Sequence, residues 1–169
     1  MKKILMMAIT VDGKIAKDTD QPATWTSQAD KKMFIAETKR VGVIVMGKTT
    51  YDTIGKPLPG RLNIVMDFDV SQYENIPGTL EYTNKKPEEI IAELESRGFK
   101  EMIVGGGSTI NGLFLSQGLI DEIWLTIEPK IFGEGLSLFK GADVDLALEL
   151  IEIKQLDNNI IHLRYKIKK

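Results

Sequence analysis

The sequence predicts an α/β fold: about eight strands in a mostly parallel sheet, with an antiparallel C-terminal strand and helices on both faces. Three observations carry this. Four continuous apolar runs, "KILMMAIT", "VGVIVMG", "LNIVMDF" and "EMIVGGG", have the composition of strands buried on both sides. The stretches between them have helical spacing and turn residues at their ends. The tail, "LALELIEIKQLDNNIIHLRYKIKK", instead alternates apolar and polar residues around Asp157-Asn158-Asn159, as an antiparallel hairpin does.

Taken in order, "KILMMAIT" is the first buried strand. With the lysines that open it, the run faintly imitates a secretory leader. It is short, however, ends at Thr10-Val11-Asp12-Gly13 and lacks a small-residue cleavage pattern. "SQADKKMFIAETKR" follows as a helix, then the strand in "VGVIVMG", the short helix "TTYDTIG" and the strand in "LNIVMDF". "KPEEIIAELESRGFK" is the clearest helix. Pro87 starts it, Glu88 and Glu89 face the positive end of its dipole, and Gly98 supplies a C-cap. "EMIVGGG" gives another strand, "STINGLFLSQG" another helix, and "IDEIWLTIEP" a long strand. No repeat, low-complexity run or linker interrupts this series, so residues 1–169 are expected to form one domain.

Composition narrows the function. Hydrophobic residues make up 43% and charged residues 27%, with a net charge of -2, so no basic footprint for nucleic acid or a membrane is present. Cysteine is absent, which removes disulfides, thiolate nucleophiles and the usual structural zinc sites. The expectation is a cytoplasmic protein that takes a small molecule, holds no metal and exists as a monomer or homodimer.

"GVIVMGKT", Gly42 to Thr49, matches the P-loop pattern letter for letter, and "NIVMD" even imitates the strand that follows one. A phosphate cradle needs a flexible loop whose N–H groups turn inward. Val-Ile-Val-Met is β-branched and apolar and reads as the strand itself, so a nucleotide triphosphatase is rejected. What remains is two helix starts at strand ends: Gly47-Lys48-Thr49-Thr50 and Gly105-Gly106-Gly107-Ser108-Thr109. Free N–H groups, hydroxyls and glycines that allow close approach suit anions there, and two such starts suit a dinucleotide. The same residues also turn and cap helices with no ligand present.

Asp30 has two readings. Ser27-Gln28-Ala29-Asp30 is an N-cap with an acid at the third helical position. Asp30 and Phe34 are also four apart, so the acid shares a helix face with an aromatic residue that should point inward. A core-facing carboxyl without a basic partner on its own helix face suits an amidine-like edge and a raised pKa.

"WTSQADKKMFIAETKRVGVIVMGKTTYDTIGKPLPGRLNIVM" resembles dihydrofolate reductase in the spacing of Trp, Asp and Phe, the strand ending Met-Gly, the short helix and "IGKPLPGR". "IVGGG" and the "LT" of "WLTIEP" fall where that family has cofactor glycines and a substrate-contacting threonine. The resemblance implies that family's fold and NADPH-dependent reduction of dihydrofolate. It assigns Asp30 to the pterin ring's N3 and 2-amino group and to proton delivery, with Thr126 completing the contact. Phe34, Ile54 and Leu58 would wall the ring and benzoyl group, and Arg61 would hold the glutamate tail. Met6, Ala8 and Val104 would give backbone contacts to pterin and nicotinamide. Residues 11–25 would form a mobile lid that brings Ile15 and Ala16 near the nicotinamide. Gly105, Gly106, Gly107, Ser108, Thr109 and Ile110 would hold the pyrophosphate, and Gly47, Lys48, Thr49 and Thr50 the 2′-phosphate and its neighbour.

"MAITVDGKIA" and "VGGGSTINGLFLSQGLIDEIWLTIEPKIFGEG" also resemble the reductase domain of riboflavin biosynthesis, which reduces a ribosylaminopyrimidine phosphate with NADPH. Lys48 and Arg61 would then serve a ribose phosphate. A non-catalytic nucleotide-binding module is the reading from another class. Several positions depart from the folate pattern. Asp67-Phe68 stands where serines commonly take the 2′-phosphate, so NADH stays open beside NADPH, and Lys31 replaces an apolar contact. "QPAT" lacks the common Met-Pro before the tryptophan. Trp25 is expected to anchor the lid or core. His162, the only histidine, is expected to be solvated on an exposed edge strand.

Overall fold

The computed structural model describes residues 1–168. The apolar runs form the centre of the sheet because their backbones can pair on both edges while both faces are covered. β1 (Lys2–Thr10), β3 (Val43–Gly47), β4 (Leu62–Met66), β6 (Glu101–Val104) and β7 (Glu122–Glu128) run parallel. β5 (Leu80–Thr83) adds a parallel strand at one edge. The terminal ribbon, β9 (Leu148–Asp157) and β10 (Ile160–Ile167), turns at Asn158-Asn159 as expected. The order is β5-β4-β3-β6-β1-β7-β10-β9, with β10 antiparallel to both of its neighbours. A second, two-stranded sheet joins β2 (Lys14–Ala16) to β8 (Leu136–Ser137).

Among the described residues four α-helices flank this sheet. α1 (Gln28–Val41) opens on Ser27, whose side chain accepts the Asp30 N–H at 3.1 Å, and ends on Gly42 in the left-handed region at φ +83°. α2 (Lys48–Ile54) has seven residues, and α3 (Pro87–Ser96) starts on Pro87 with Glu88 and Glu89 in its first turn. Its C-cap is Arg97, so Gly98 sits one position beyond at φ +89°. α4 (Ser108–Ser116) follows the glycine turn. Among the described residues no helix is long and apolar enough to cross a membrane.

The apparent P-loop is strand. Val43, Val45 and Met46 are fully buried, and the run pairs from Val43↔Leu62 to Gly47↔Met66, so its N–H groups serve the ladder. His162 overturns its expected place on the surface: it is fully buried. The last strand inserts between β7 and β9, and β9 takes the exposed edge in its stead.

Candidate active site

The parallel strands end on one side of the sheet, where helix starts and loops enclose a cleft of about 1350 Å³. One drug-sized ligand needs about 300–1,000 Å³, so there is room for a substrate and a cofactor together. Met6, Ala8, Asp30, Phe34, Ile54 and Leu58 line it, as do Ile15 and Ala16. So do Gly47, Lys48, Thr49 and Thr50, and across from them Gly105, Gly107, Ser108, Thr109 and Ile110. Four expected residues are absent from the lining: Arg61, Val104, Gly106 and Thr126.

Asp30 is 7% exposed, in the first turn of α1 above the end of β7. Desolvation raises its pKa above the ordinary aspartate value, and the nearby Glu128 charge adds to this, while hydroxyls of Thr126 and Thr26 and the Lys31 charge pull it down. Thr126 therefore acts from beneath the cleft, through Asp30. Glu128, on the same face of β7, is 2% exposed and accepts the Ser27 N–H at 2.9 Å. Two strand residues thus grip both ends of the cap that aims Asp30. The cap and the inward acid are one arrangement.

The second half of the cleft is built from backbone. Gly105 N–H donates to Val45 O at 2.9 Å and Gly47 N–H to Gly106 O at 2.8 Å, locking the glycine turn to β3. A Cβ on Gly105 would lie 2.6 Å from Ile44 Cδ1, and Gly106 has φ +93°, so larger residues are refused there. Ser108 Oγ, at the start of the nine-residue α4, is buried without a partner although the residue lines the cleft. That orphaned hydroxyl and the free N–H groups of α4 fit a phosphate oxygen. α2 offers less: it is short, and Lys48 Nζ already contacts both oxygens of Asp52 at 2.5 and 2.6 Å.

Residues 11–25 are tied at both ends. Asp12 accepts the N–H groups of Phe132 (3.2 Å) and Gly133 (2.7 Å) and the Thr10 hydroxyl (2.6 Å). Trp25 Nε1 donates to Ile15 O at 3.1 Å and stacks edge-on against Phe132, 5.1 Å between centroids. Between these ties, Asp18, Thr19 and Gln21 line the cleft.

Arg61 is 5% exposed. Its guanidinium donates to Pro59 O at 3.1 and 2.9 Å and to Thr38 Oγ1. Burial alone lowers its pKa, with no carboxylate contributing. At the far end, Phe68 is 98% exposed beside Asp67, which accepts the Tyr73 hydroxyl at 3.0 Å; Lys85 and Lys86 line the same end. Thr26, Glu128 and His162 had no functional reading in the sequence. Glu128 left one signal, an acid two residues after Thr126 in a buried run. Among the described residues no cluster of His, Cys, Asp and Glu could hold a metal ion.

Comparison with known proteins bears on this geometry. A family model described as the RibD C-terminal domain matches residues 2–162. A dihydrofolate reductase of Haemophilus influenzae is 30% identical over 131 residues, covering 77% of this chain and 74% of that one. Dihydrofolate reductase from Enterococcus faecalis, solved with NADP(H), superposes with a TM-score of 0.76 at 22% identity over 99% of this chain and 97% of that one. A deaminase/5-amino-6-(5-phosphoribosylamino)uracil reductase from Thermotoga maritima gives a TM-score of 0.82 at 18% identity. That match spans 99% of this chain but 56% of the larger protein. At these identities the two solved structures establish likeness of fold.

Proposed function

This chain belongs to the RibD C-terminal domain family, and from that premise we propose that it is an NADPH-dependent reductase whose substrate is dihydrofolate, giving tetrahydrofolate. The observation that carries the reading is Asp30: one buried carboxyl of raised pKa, on the lining of a cleft walled by Phe34, Ile54 and Leu58. Such a group accepts two hydrogen bonds from an amidine-like ring edge when ionised, and burial lets it keep a proton to higher pH than an ordinary aspartate does. A flat heteroaromatic ring satisfies both the apolar walls and the acid. The H. influenzae relative supports folate as the ring.

NADPH supplies the hydride. The glycine turn, the orphaned Ser108 hydroxyl and the start of α4 are the groups suited to its phosphates, and Phe68 offers an exposed ring at the far end. Catalysis by this chain is then positioning, exclusion of water by residues 11–25, and control of one proton at Asp30. Among the described residues Arg61 has no carboxylate partner, which suits an anionic tail, although the side chain stands outside the cleft lining.

The pyrimidine reductase of riboflavin synthesis is the second reading, favoured by the family model and by Lys31, a cation on the cleft lining suited to a ribose phosphate. NADPH oxidation followed with dihydrofolate and, separately, with the ribosylaminopyrimidine phosphate tests both. Turnover of dihydrofolate that disappears in Asp30→Asn, with cofactor affinity kept, supports the first. Turnover of the pyrimidine alone replaces it with the second. Cofactor binding without turnover of either substrate leaves a nucleotide-binding module.

A further inference from the structure

His162 is the one histidine of the chain, and the fold places it with no exposed surface as the third residue of β10. Across the antiparallel ladder it faces Thr126, with its Nδ1 3.2 Å from Thr126 Oγ1. Thr126 shares its face of β7 with Glu128, which accepts the N–H of the cap residue Ser27 at 2.9 Å, and its hydroxyl pulls the Asp30 pKa down as a hydrogen-bonding neighbour. His162, Thr126 and Asp30 therefore form a line of three polar groups that starts inside the sheet and ends on the cleft.

A hydroxyl has a single hydrogen to donate. When Asp30 is ionised, Thr126 gives that hydrogen to the carboxylate, and only its oxygen lone pairs remain for His162. The contact at Nδ1 then requires a proton on Nδ1. Nε2 is buried with no partner among the described residues. An aromatic or aliphatic side chain would fill this position without stranding a ring nitrogen, so packing alone does not account for an imidazole.

The charged and polar groups around the ring agree with a neutral tautomer. Trp124 meets it edge-on at 6.3 Å between centroids. Arg164 on β10 and Lys154 on β9 oppose a positive ring, while Glu152 on β9 and Glu37 on α1 favour one. Burial outweighs them all and pushes the imidazole down to about 4, so the ring stays uncharged across the neutral range. At the other end of the line, Asp30 is faced by Glu128 from β7 and by Lys31 from its own helix.

We propose that His162 is a positioning residue that sets the protonation of Asp30 through Thr126: its Nδ1–H holds the hydroxyl oxygen, so the hydroxyl hydrogen points at the carboxylate and favours its ionised form. The relay rests on Asp30 being the acid of the proposed reaction, but its operation needs no turnover. It opposes burial and Glu128, and the balance decides how readily Asp30 keeps a proton.

The full chain carrying ¹⁵N-labelled histidine gives one imidazole signal set, free of overlap. At about pH 8, with the ring neutral, long-range ¹H–¹⁵N spectra should place the proton on Nδ1; a proton on Nε2 overturns the proposal. This measurement needs no variant. The ¹³C carboxyl resonance of Asp30 is then titrated in wild type, His162→Phe and His162→Asn. The phenylalanine fills the volume without a donor, and the asparagine amide restores a donor near the Nδ1 position. The Asp30 midpoint should rise by about half a unit to one unit in His162→Phe and return towards wild type in His162→Asn. Equal midpoints in the three proteins overturn the proposal. Neither readout uses a substrate, so failure of the relay and failure of the assigned reaction are seen separately.

Discussion

Replacing Glu128 separates the mechanical and electrostatic parts of the Asp30 site. In Glu128→Ala the Ser27 N–H, now held at 2.9 Å, loses its acceptor. An unpaired buried amide costs about 1–3 kcal/mol. Because this pair is only partly buried, water recovers some of it, leaving about 1–2 kcal/mol. For a chain of this size each kcal/mol is worth about 2–4 °C, so the melting temperature should fall by about 2–8 °C. Urea unfolding should show a lower midpoint with an unchanged slope. Glu128→Gln keeps an oxygen for the Ser27 N–H and removes the charge, so it should retain most of the stability. It should also lower the Asp30 pKa, because the Glu128 charge is one of the groups that raise it. In the NADPH-oxidation assay, a step that needs protonated Asp30 then loses rate at a lower pH than wild type. Wild-type stability in Glu128→Ala, or an unmoved Asp30 titration in Glu128→Gln, would refute this account of the site.

Three further outcomes follow from the same geometry. Asp30 has a folded pKa above its unfolded value, chiefly through burial, so its favourable contribution is present at low pH and lost as pH rises through the folded pKa. Asp30→Asn should therefore gain thermal stability over wild type as the pH is raised and gain nothing in acid; a pH-independent difference contradicts it. In Gly112→Ala the new Cβ would lie 1.9 Å from the Lys140 carbonyl oxygen, a backbone atom that cannot swing aside. Displacing α4 from the segment bonded to it through Asn111 Nδ2 and Leu138 O should cost about 1–3 kcal/mol or more. Calorimetry reads that loss, and an unchanged melting temperature counts against it. Asp67→Ser removes a carboxylate from the lining of the proposed cofactor site, at the position compared above with serines that take a 2′-phosphate. The ratio of kcat/KM for NADPH over NADH should rise about tenfold, the effect of one surface charge a few ångströms from a phosphate. A constant ratio would show that Asp67 does not face the 2′-phosphate.

The elements that were legible in the sequence are those whose cause is local. A β-branched run cannot be a phosphate loop, and Val43–Gly47 is strand; Ser27 three residues before Asp30 is a cap, and its oxygen accepts the Asp30 N–H. β5 escaped because "LEYT" is four residues with only Leu80 buried, too short for a period to show. His162 was misplaced for a different reason. Alternation in "IIHLRYKI" tells which side chains share a face, but not whether another strand covers the edge, and β9 does. The acid itself could be picked out, since Asp30 and Phe34 share a helix face. The raised pKa expected from its inward position is found too, but the groups from β7 that adjust it, Thr126 and Glu128, could not be read; Glu128 reaches Ser27 across 101 residues. Arg61 shows the same limit from the other side: "PLPGR" identifies a turn, while the Thr38 hydroxyl that holds the guanidinium lies 23 positions earlier. A pattern of residues thus names the group that can carry a proton. How far that group's pKa is raised is set first by burial and then by the strand that passes beneath, which in this protein brings the acid Glu128 and, by the proposed relay, a neutral histidine one strand further on to opposite sides of the balance.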